Sequence, residues 1–261
     1  DPEHTMVVYT PAVPSDHPQM QFFRERGFLM EKRSQMLGHL SEGKYVMAVA
    51  GTHGKTTTST LIAWLNAATG MGGNAFLGGI SKNFNGNMVL GEGTRLAVEA
   101  DEYDRSFLRL HPNVAVITAA DADHLDIYGT AEAVKEAFEE FASQIKEGGA
   151  LILKQGVELK FDTATRSLYR YSCDNGGDFH AENIALIEDG HYRYDIVLPD
   201  GRIEGCTLGI LGKVHIENSV AAVAMLWCAA QSEGVILDEE RLRKALAEFV
   251  GVKRRFEFYI N

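Results

Sequence analysis

Apolar residues along the chain fall into two patterns. Short unbroken apolar runs, as expected of strands buried on both faces of a parallel sheet, occur at 45–50, 96–98, 114–117 and 151–153. Between them apolar positions recur at the helical period. Leu61, Ile62, Leu65 and Ala68 share a face ahead of Gly70; Val134, Phe138, Phe141 and Ile145 share one between Thr130, a suitable N-cap, and Gly148. Strand and helix in alternation predict an α/β fold, a parallel sheet flanked by helices. Upstream, 6–9 reads as a short buried strand closed by Pro11 and Pro14, followed by helices over 17–26 (ending at Gly27) and 34–40. The pattern changes after about Phe161. Tyr192, Tyr194, Ile196 and Leu198 alternate with polar neighbours before the turn signal Pro199-Asp200-Gly201, which predicts a hairpin in a small antiparallel side sheet. Helices return over 218–230 and 238–249, the second burying Leu242, Ala245, Leu246 and Phe249.

Composition narrows the partners. With 261 residues, 45% of them apolar and 23% charged, the chain can bury a core without disulfides or metal staples. A net charge of −11 argues against general affinity for nucleic acid, yet leaves room for one small phosphorylated ligand in a local glycine loop. Cys173, Cys206 and Cys228 are odd in number and far apart, which fits reduced thiols of a cytosolic protein better than a disulfide framework or a zinc site. The opening Asp1-Pro2-Glu3-His4 has no targeting character, and the longest apolar run, 220–230, is shorter than the ~18 residues a membrane-spanning helix needs. A soluble, cytoplasmic protein is expected, without nucleic-acid or membrane partners; oligomeric state is not legible.

The strongest chemical signal is Gly51-Thr52-His53-Gly54-Lys55-Thr56-Thr57, between the buried run 45–50 and the amphipathic helix. Glycines let backbone N–H groups turn inward on a phosphate, and the helix presents its positive end. Lys55 would reach the outer phosphates of a nucleotide and the Thr56 hydroxyl would sit on Mg²⁺. The strict phosphate-loop pattern places a glycine where Val49 stands, so Gly51 must supply the flexibility; a plain strand-to-helix turn is the alternative. Such a site also needs a carboxylate at a neighbouring strand end. The run 96–98 leads directly into Glu99, Asp101 and Glu102. The next strand leads into Asp121-Ala122-Asp123-His124, at the carboxyl edge where open sheets hold ligands, which makes His124 a metal or substrate candidate.

These residues resemble the Mur ligases of peptidoglycan synthesis. Ala50 through Thr57, Gly78-Gly79, Glu99-Ala100-Asp101-Glu102 and Asp123-His124-Leu125-Asp126 stand in the order and rough spacing of that family, and the likeness runs from Val7 to Phe258. His53 in the loop, with Glu-Ala-Asp-Glu, is similar to the branch that acts on UDP-N-acetylmuramate. The resemblance implies an ADP-forming reaction in which ATP phosphorylates the muramoyl carboxylate and the amine of L-alanine attacks the acyl phosphate. It further implies that Lys55 stabilises the transferring phosphoryl group, that Thr56 and Glu99 hold Mg²⁺, and that His124 helps hold a second metal. Gly212-Lys213-Val214-His215-Ile216-Glu217-Asn218 departs from the family's Gly-x-His-Asn-x-x-Asn: Asn218 fits the adenine-contacting position and His215 replaces the earlier Asn. Gly78, Gly79 and Arg255 fall on the substrate side by resemblance alone, and a simple turn explains the two glycines as well.

The resemblance also divides the chain. Residues 1–43 are expected to be the end of a uridine-nucleotide-binding domain and its linker, 44–250 the central ATP-binding domain, and 251–261 the start of the linker to a third domain. Such a fragment is expected to bind nucleotide weakly and not to ligate alone. A recycling ligase that attaches a whole murein tripeptide and a folate polyglutamate ligase share the fold. A non-catalytic nucleotide switch would need a guanine-reading Asn-Lys-x-Asp, which the sequence lacks.

Overall fold

The structure, a computed structural model, describes residues 1–121, 123 and 125–254. In chain order its elements are β1 (Met6–Tyr9), α1 (Pro18–Glu25), β2 (Leu29–Lys32), α2 (Arg33–Ser41), β3 (Tyr45–Ala50), α3 (Lys55–Ala68), β4 (Asn74–Ser81), β5 (Gly86–Val89), β6 (Arg95–Glu99), β7 (Val114–Ile117), α4 (Leu125–Tyr128), α5 (Ala131–Ser143), β8 (Ala150–Lys154), β9 (Ser167–Tyr171), β10 (His180–Leu186), β11 (Tyr192–Leu198), β12 (Gly201–Thr207), α6 (Val214–Glu233) and α7 (Glu239–Ala247). Seven strands form the central sheet in the order β5-β4-β6-β3-β7-β8-β9. Every pairing in it is parallel except β4 with β5. A separate antiparallel sheet carries β10-β11-β12, and β1 pairs in parallel with β2 alone.

Strand alternation divides the core in two. Met47 and Val49 point into a cluster with α3, α6, α7 and the side sheet, whereas Val46, Ala48 and Ala50 point into one with α5 and the 103–110 segment. Fully burying side chains such as Leu61, Ile62 and Leu65 contributes roughly 1.5–3 kcal/mol each. The first two turns of α3 are rich in Thr and Ser yet buried. Two of their hydroxyls find a partner within the helix: Ser59 Oγ donates to the Thr56 carbonyl at 3.2 Å and Thr60 Oγ1 donates to it at 2.6 Å.

Four expectations need correction. The strand Met6–Tyr9 exists but alternates between exposed and half-buried residues, because only β2 pairs with it. Gly78 and Gly79 lie inside strand β4 and not in a turn; the turn is further on, at Asn85, whose φ is 52°. The central sheet continues past residue 161, since β9 adds to β8, and the side sheet has a third strand, β10. Finally, α6 starts four residues earlier than residue 218, so His215 and Asn218 both lie in its N-terminal part.

Candidate functional site

The carboxyl ends of the three middle strands meet at one edge. Register pairs Val49 with Glu99 and Ala50 with Ile117, so the loop after β3 opens between the end of β6 and the start of the chain after β7. Gly51 has φ 122° and Gly54 has φ 83°, backbone shapes that an L side chain resists. A Cβ on Gly51 would run into the Thr118 hydroxyl and the Ala119 backbone, and one on Gly54 would stand 3.1 Å from Asn218 Oδ1. The loop is sewn to β7: the Thr52 N–H donates to the Ala119 carbonyl at 3.2 Å, and the Thr118 hydroxyl donates to the carbonyls of Ala50 (3.2 Å) and His53. Gly54 then caps α3, with the Thr58 N–H returning to its carbonyl at 3.0 Å.

Lys55 arches back over this loop. Its Nζ donates to the Gly51 carbonyl at 2.8 Å and to Glu102 Oε1 at 2.8 Å. Thr56 Oγ1 donates to Glu99 Oε1 at 3.0 Å, and the other oxygen, Oε2, accepts the Gly78 N–H at 3.0 Å. Gly78 has to be glycine, since a Cβ there would be built into the Glu99 carboxylate. Burial pushes the Glu99 carboxyl above the usual carboxylate range; the Thr56 and Gly78 hydrogen bonds and the Lys55 charge oppose that shift, and Asp101 adds to it. On the open side, Thr52 Oγ1 donates to Asp121 Oδ2 at 3.3 Å, and exposed His53 has its Nδ1 3.5 Å from the same oxygen.

The other expected residues divide. Asn218 borders Gly54, while His215 is 3% exposed and meets Asn218 through a 3.2 Å contact between Nδ1 and the Asn218 amide nitrogen. Burial holds the His215 ring below its ordinary pKa, favouring the neutral form. Thr57 is buried one step along α3. Gly79 lies between Val252 and the start of α3: a Cβ there would stand 2.8 Å from Val252 Cγ1 and 3.0 Å from Thr56 Cγ2. His124 and Arg255 lie outside the described residues. Sequence reasoning missed Glu102 as the partner of Lys55, Thr118 as the stitch under the loop and the Gly78 amide as an anchor for Glu99; only Glu102 left a signal, as the last acid of its run.

Cavities flank Gly78 on both sides. One of about 360 Å³, floored by Met36, Leu37, Phe76 and Met88, opens on Glu99 and Asp101; another of about 530 Å³ runs along Gly78, Gly79, Val252, Lys253 and Arg254. The donor set at Glu99 suits a hard divalent cation: a hydroxyl and a buried carboxylate, both oxygen. Among the described residues, no group of three or more His, Cys, Asp or Glu could hold a metal, so a cation here would complete its shell from ligand oxygens and water. The three cysteines are free, with burial raising Cys206 and Cys228 to about 12. No helix among the described residues is long and apolar enough to cross a membrane.

Fold and site together define a phosphate-loop α/β domain, with a glycine loop between a central parallel strand and a helix facing a carboxylate from the next strand. The chain belongs to the family of the Mur ligase middle domain, whose sequence model matches residues 49–226. It is 50% identical to a UDP-N-acetylmuramate–L-alanine ligase of Phocaeicola vulgatus, covering 100% of this chain and 56% of that protein. A ligase of the same name from Parabacteroides distasonis is 46% identical, covering 100% and 55% respectively. Among solved structures, the UDP-N-acetylmuramate-alanine ligase of Thermotoga maritima superimposes with a TM-score of 0.81 at 27% identity, over 98% of this chain and 57% of that one. The chain thus spans about half the length of the curated relatives it matches.

Proposed function

We propose that this chain is the ATP-binding middle part of an enzyme that joins L-alanine to UDP-N-acetylmuramate through an acyl phosphate. The observation that carries the reading is the Glu99 carboxylate, held by the Thr56 hydroxyl and the Gly78 amide at the lip of the glycine loop, beside Lys55. The names and identities of the relatives supply the substrates.

The chemistry has one central difficulty, because a carboxylate and a triphosphate, both anions, must approach each other. The amides of the loop and the start of α3 offer positive ends to the β- and γ-phosphates, and Lys55 adds a full charge. Thr56 and Glu99 would hold Mg²⁺, which when bound supplies the remaining neutralisation across the phosphates. The Gly78 N–H fixes one Glu99 oxygen and so turns the other toward Thr56. Asn218, beside Gly54, would meet the nucleoside, and buried His215, in contact with it, would orient its amide. The cavities on either side of Gly78 would admit the muramoyl group and the attacking amine.

The domain division follows the same reading. Residues 1–43 would close a preceding domain, consistent with β1 and β2 forming their own sheet, and 44–250 would be the ATPase unit. The linker would begin at 251, where Val252 bridges to Ser81 and the Lys253 N–H donates to the Ile80 carbonyl at 2.9 Å.

The test offers the full-length protein UDP-N-acetylmuramate, ATP and Mg²⁺ with either free L-alanine or the L-alanyl murein tripeptide, reading ADP release. Preference for free L-alanine is expected; preference for the tripeptide would make it a recycling ligase instead.

A further inference from the structure

Glu102 poses a problem that the ligase reading leaves unexplained. Its side chain is 1% exposed, and it is buried beside a loop built to attract phosphate, where an anion weakens the binding of another anion. The fold nonetheless fixes it firmly. The Tyr128 hydroxyl donates to the Glu102 carbonyl at 2.6 Å, the Arg105 N–H donates to the same carbonyl at 3.0 Å, and the neighbouring Asp101 carbonyl accepts the Phe107 N–H at 3.0 Å. Phe107 is itself locked between Phe138 and Phe141 of α5, at ring-centroid distances of 5.4 Å and 4.9 Å. These contacts fix the backbone from which the buried side chain reaches the loop.

Its partner is Lys55. A lysine ammonium has three N–H donors. Two are committed here, to the Gly51 carbonyl behind the loop and to Glu102 Oε1, each at 2.8 Å. These two tethers come from different elements, the loop itself and the segment after β6. Together they fix both where the ammonium stands and how it is rotated, and they leave the third N–H for a ligand. A flexible four-carbon side chain, 13% exposed, thereby becomes a fixed donor without waiting for the nucleotide to order it.

We propose that Glu102 is a positioning residue for ATP-dependent ligation: it sacrifices nucleotide affinity to hold the Lys55 ammonium in the orientation that phosphoryl transfer requires. This rests on the ligase reading above and adds to it a residue that touches neither substrate nor metal. A buried ion pair that merely stabilised the fold would show up as stability and would leave the balance between affinity and turnover alone.

Two substitutions in the full-length protein separate position from charge. Glu102→Gln keeps an oxygen acceptor at the same place and removes the negative charge; Glu102→Ala removes both. Steady-state ADP release and calorimetric titration with ATP and Mg²⁺ are read for each, with thermal melting as a check on folding. Glu102→Ala is expected to lower kcat by about 100-fold, the loss typical of one misplaced transition-state donor, without raising KM for ATP. Glu102→Gln is expected to tighten ATP binding by about fivefold while keeping kcat within about tenfold of the parent. The inference is overturned if the two variants lose kcat equally, if neither changes, or if Glu102→Gln binds ATP more weakly. Should Glu102→Ala fail to fold, the near-isosteric Glu102→Gln titration decides by itself. Parent protein that binds no ATP sinks the ligase reading and this inference together, whereas normal parent turnover with indifferent variants overturns this inference alone.

Discussion

Glu99 answers to opposed demands. Burial raises its carboxyl, while the chemistry assigned to it needs the carboxylate. A folded-state pKa above the ordinary value contributes stability that is fully present below the ordinary carboxylate range and is lost as pH rises through the raised value. Without metal, therefore, the ionised group is a strain on the fold near neutrality. Glu99→Gln is expected to melt at a higher temperature than the parent at about pH 8, with the gap closing toward about pH 4, where both side chains are neutral. The same variant is expected to lose the melting-temperature rise that Mg²⁺ and nucleotide give the parent, and about 100-fold or more in kcat. Calorimetric melts at the two pH values, with and without Mg²⁺ and nucleotide, check both halves; a variant destabilised at high pH would contradict the assignment. Mg²⁺ affinity in the parent is likewise expected to rise with pH through the raised carboxyl range, because cation and proton compete for one group.

At the scale of elements, the segment between β6 and β7 decides whether the acids at the strand end stay in place. Phe107 is 1% exposed and fills the space against α5. Phe107→Ala is expected to cost about 3–5 kcal/mol in chemical denaturation, and to weaken ATP turnover beyond what the lost stability explains, because the segment that carries Asp101 and Glu102 loses its ring packing against Phe138 and Phe141 of α5. Much at this scale was legible in the residue order. Runs buried on both faces announce β3, β6, β7 and β8, and a helical stripe announces α3 and α5, since each pattern is local and short. Two of the missed strands break those rules for physical reasons: β4 carries Gly78, which close approach of the Glu99 side chain demands, and Gly79, which lies against Val252 and Thr56, while β10 reads His-Ala-Glu-Asn-Ile-Ala-Leu, with one face open to water. The site divides likewise. The loop and Glu99 could be read from a continuous stretch of chain. The contacts of Lys55 with Glu102 and of Gly78 with Glu99 depend on parallel registers that bring residues 47 and 21 positions apart together, and no local pattern encodes a register.

The whole molecule is a phosphate-loop domain that spans about half of its relatives' length. Under the proposed function its edge would hold a cation and a triphosphate, and the cavities along Gly78 would admit the muramoyl group and the amine, with flanking domains completing both sites. The chain alone, residues 1–261, is therefore expected to bind ATP with Mg²⁺ and to release no phosphate in response to L-alanine, in a coupled phosphate assay beside the full-length protein. Alanine-dependent release from the chain alone would refute the division of labour. The central claim is that the amides from Gly51 to Thr57 wrap a triphosphate while Glu99 faces its cation. A crystal grown with a non-hydrolysable ATP analogue and Mn²⁺, located by anomalous scattering, tests this directly. The expected result is β- and γ-phosphates inside the loop and the ion at roughly 2.0–2.3 Å from Thr56 Oγ1 and a Glu99 oxygen. A nucleotide bound elsewhere, or a cation away from Glu99, would contradict it.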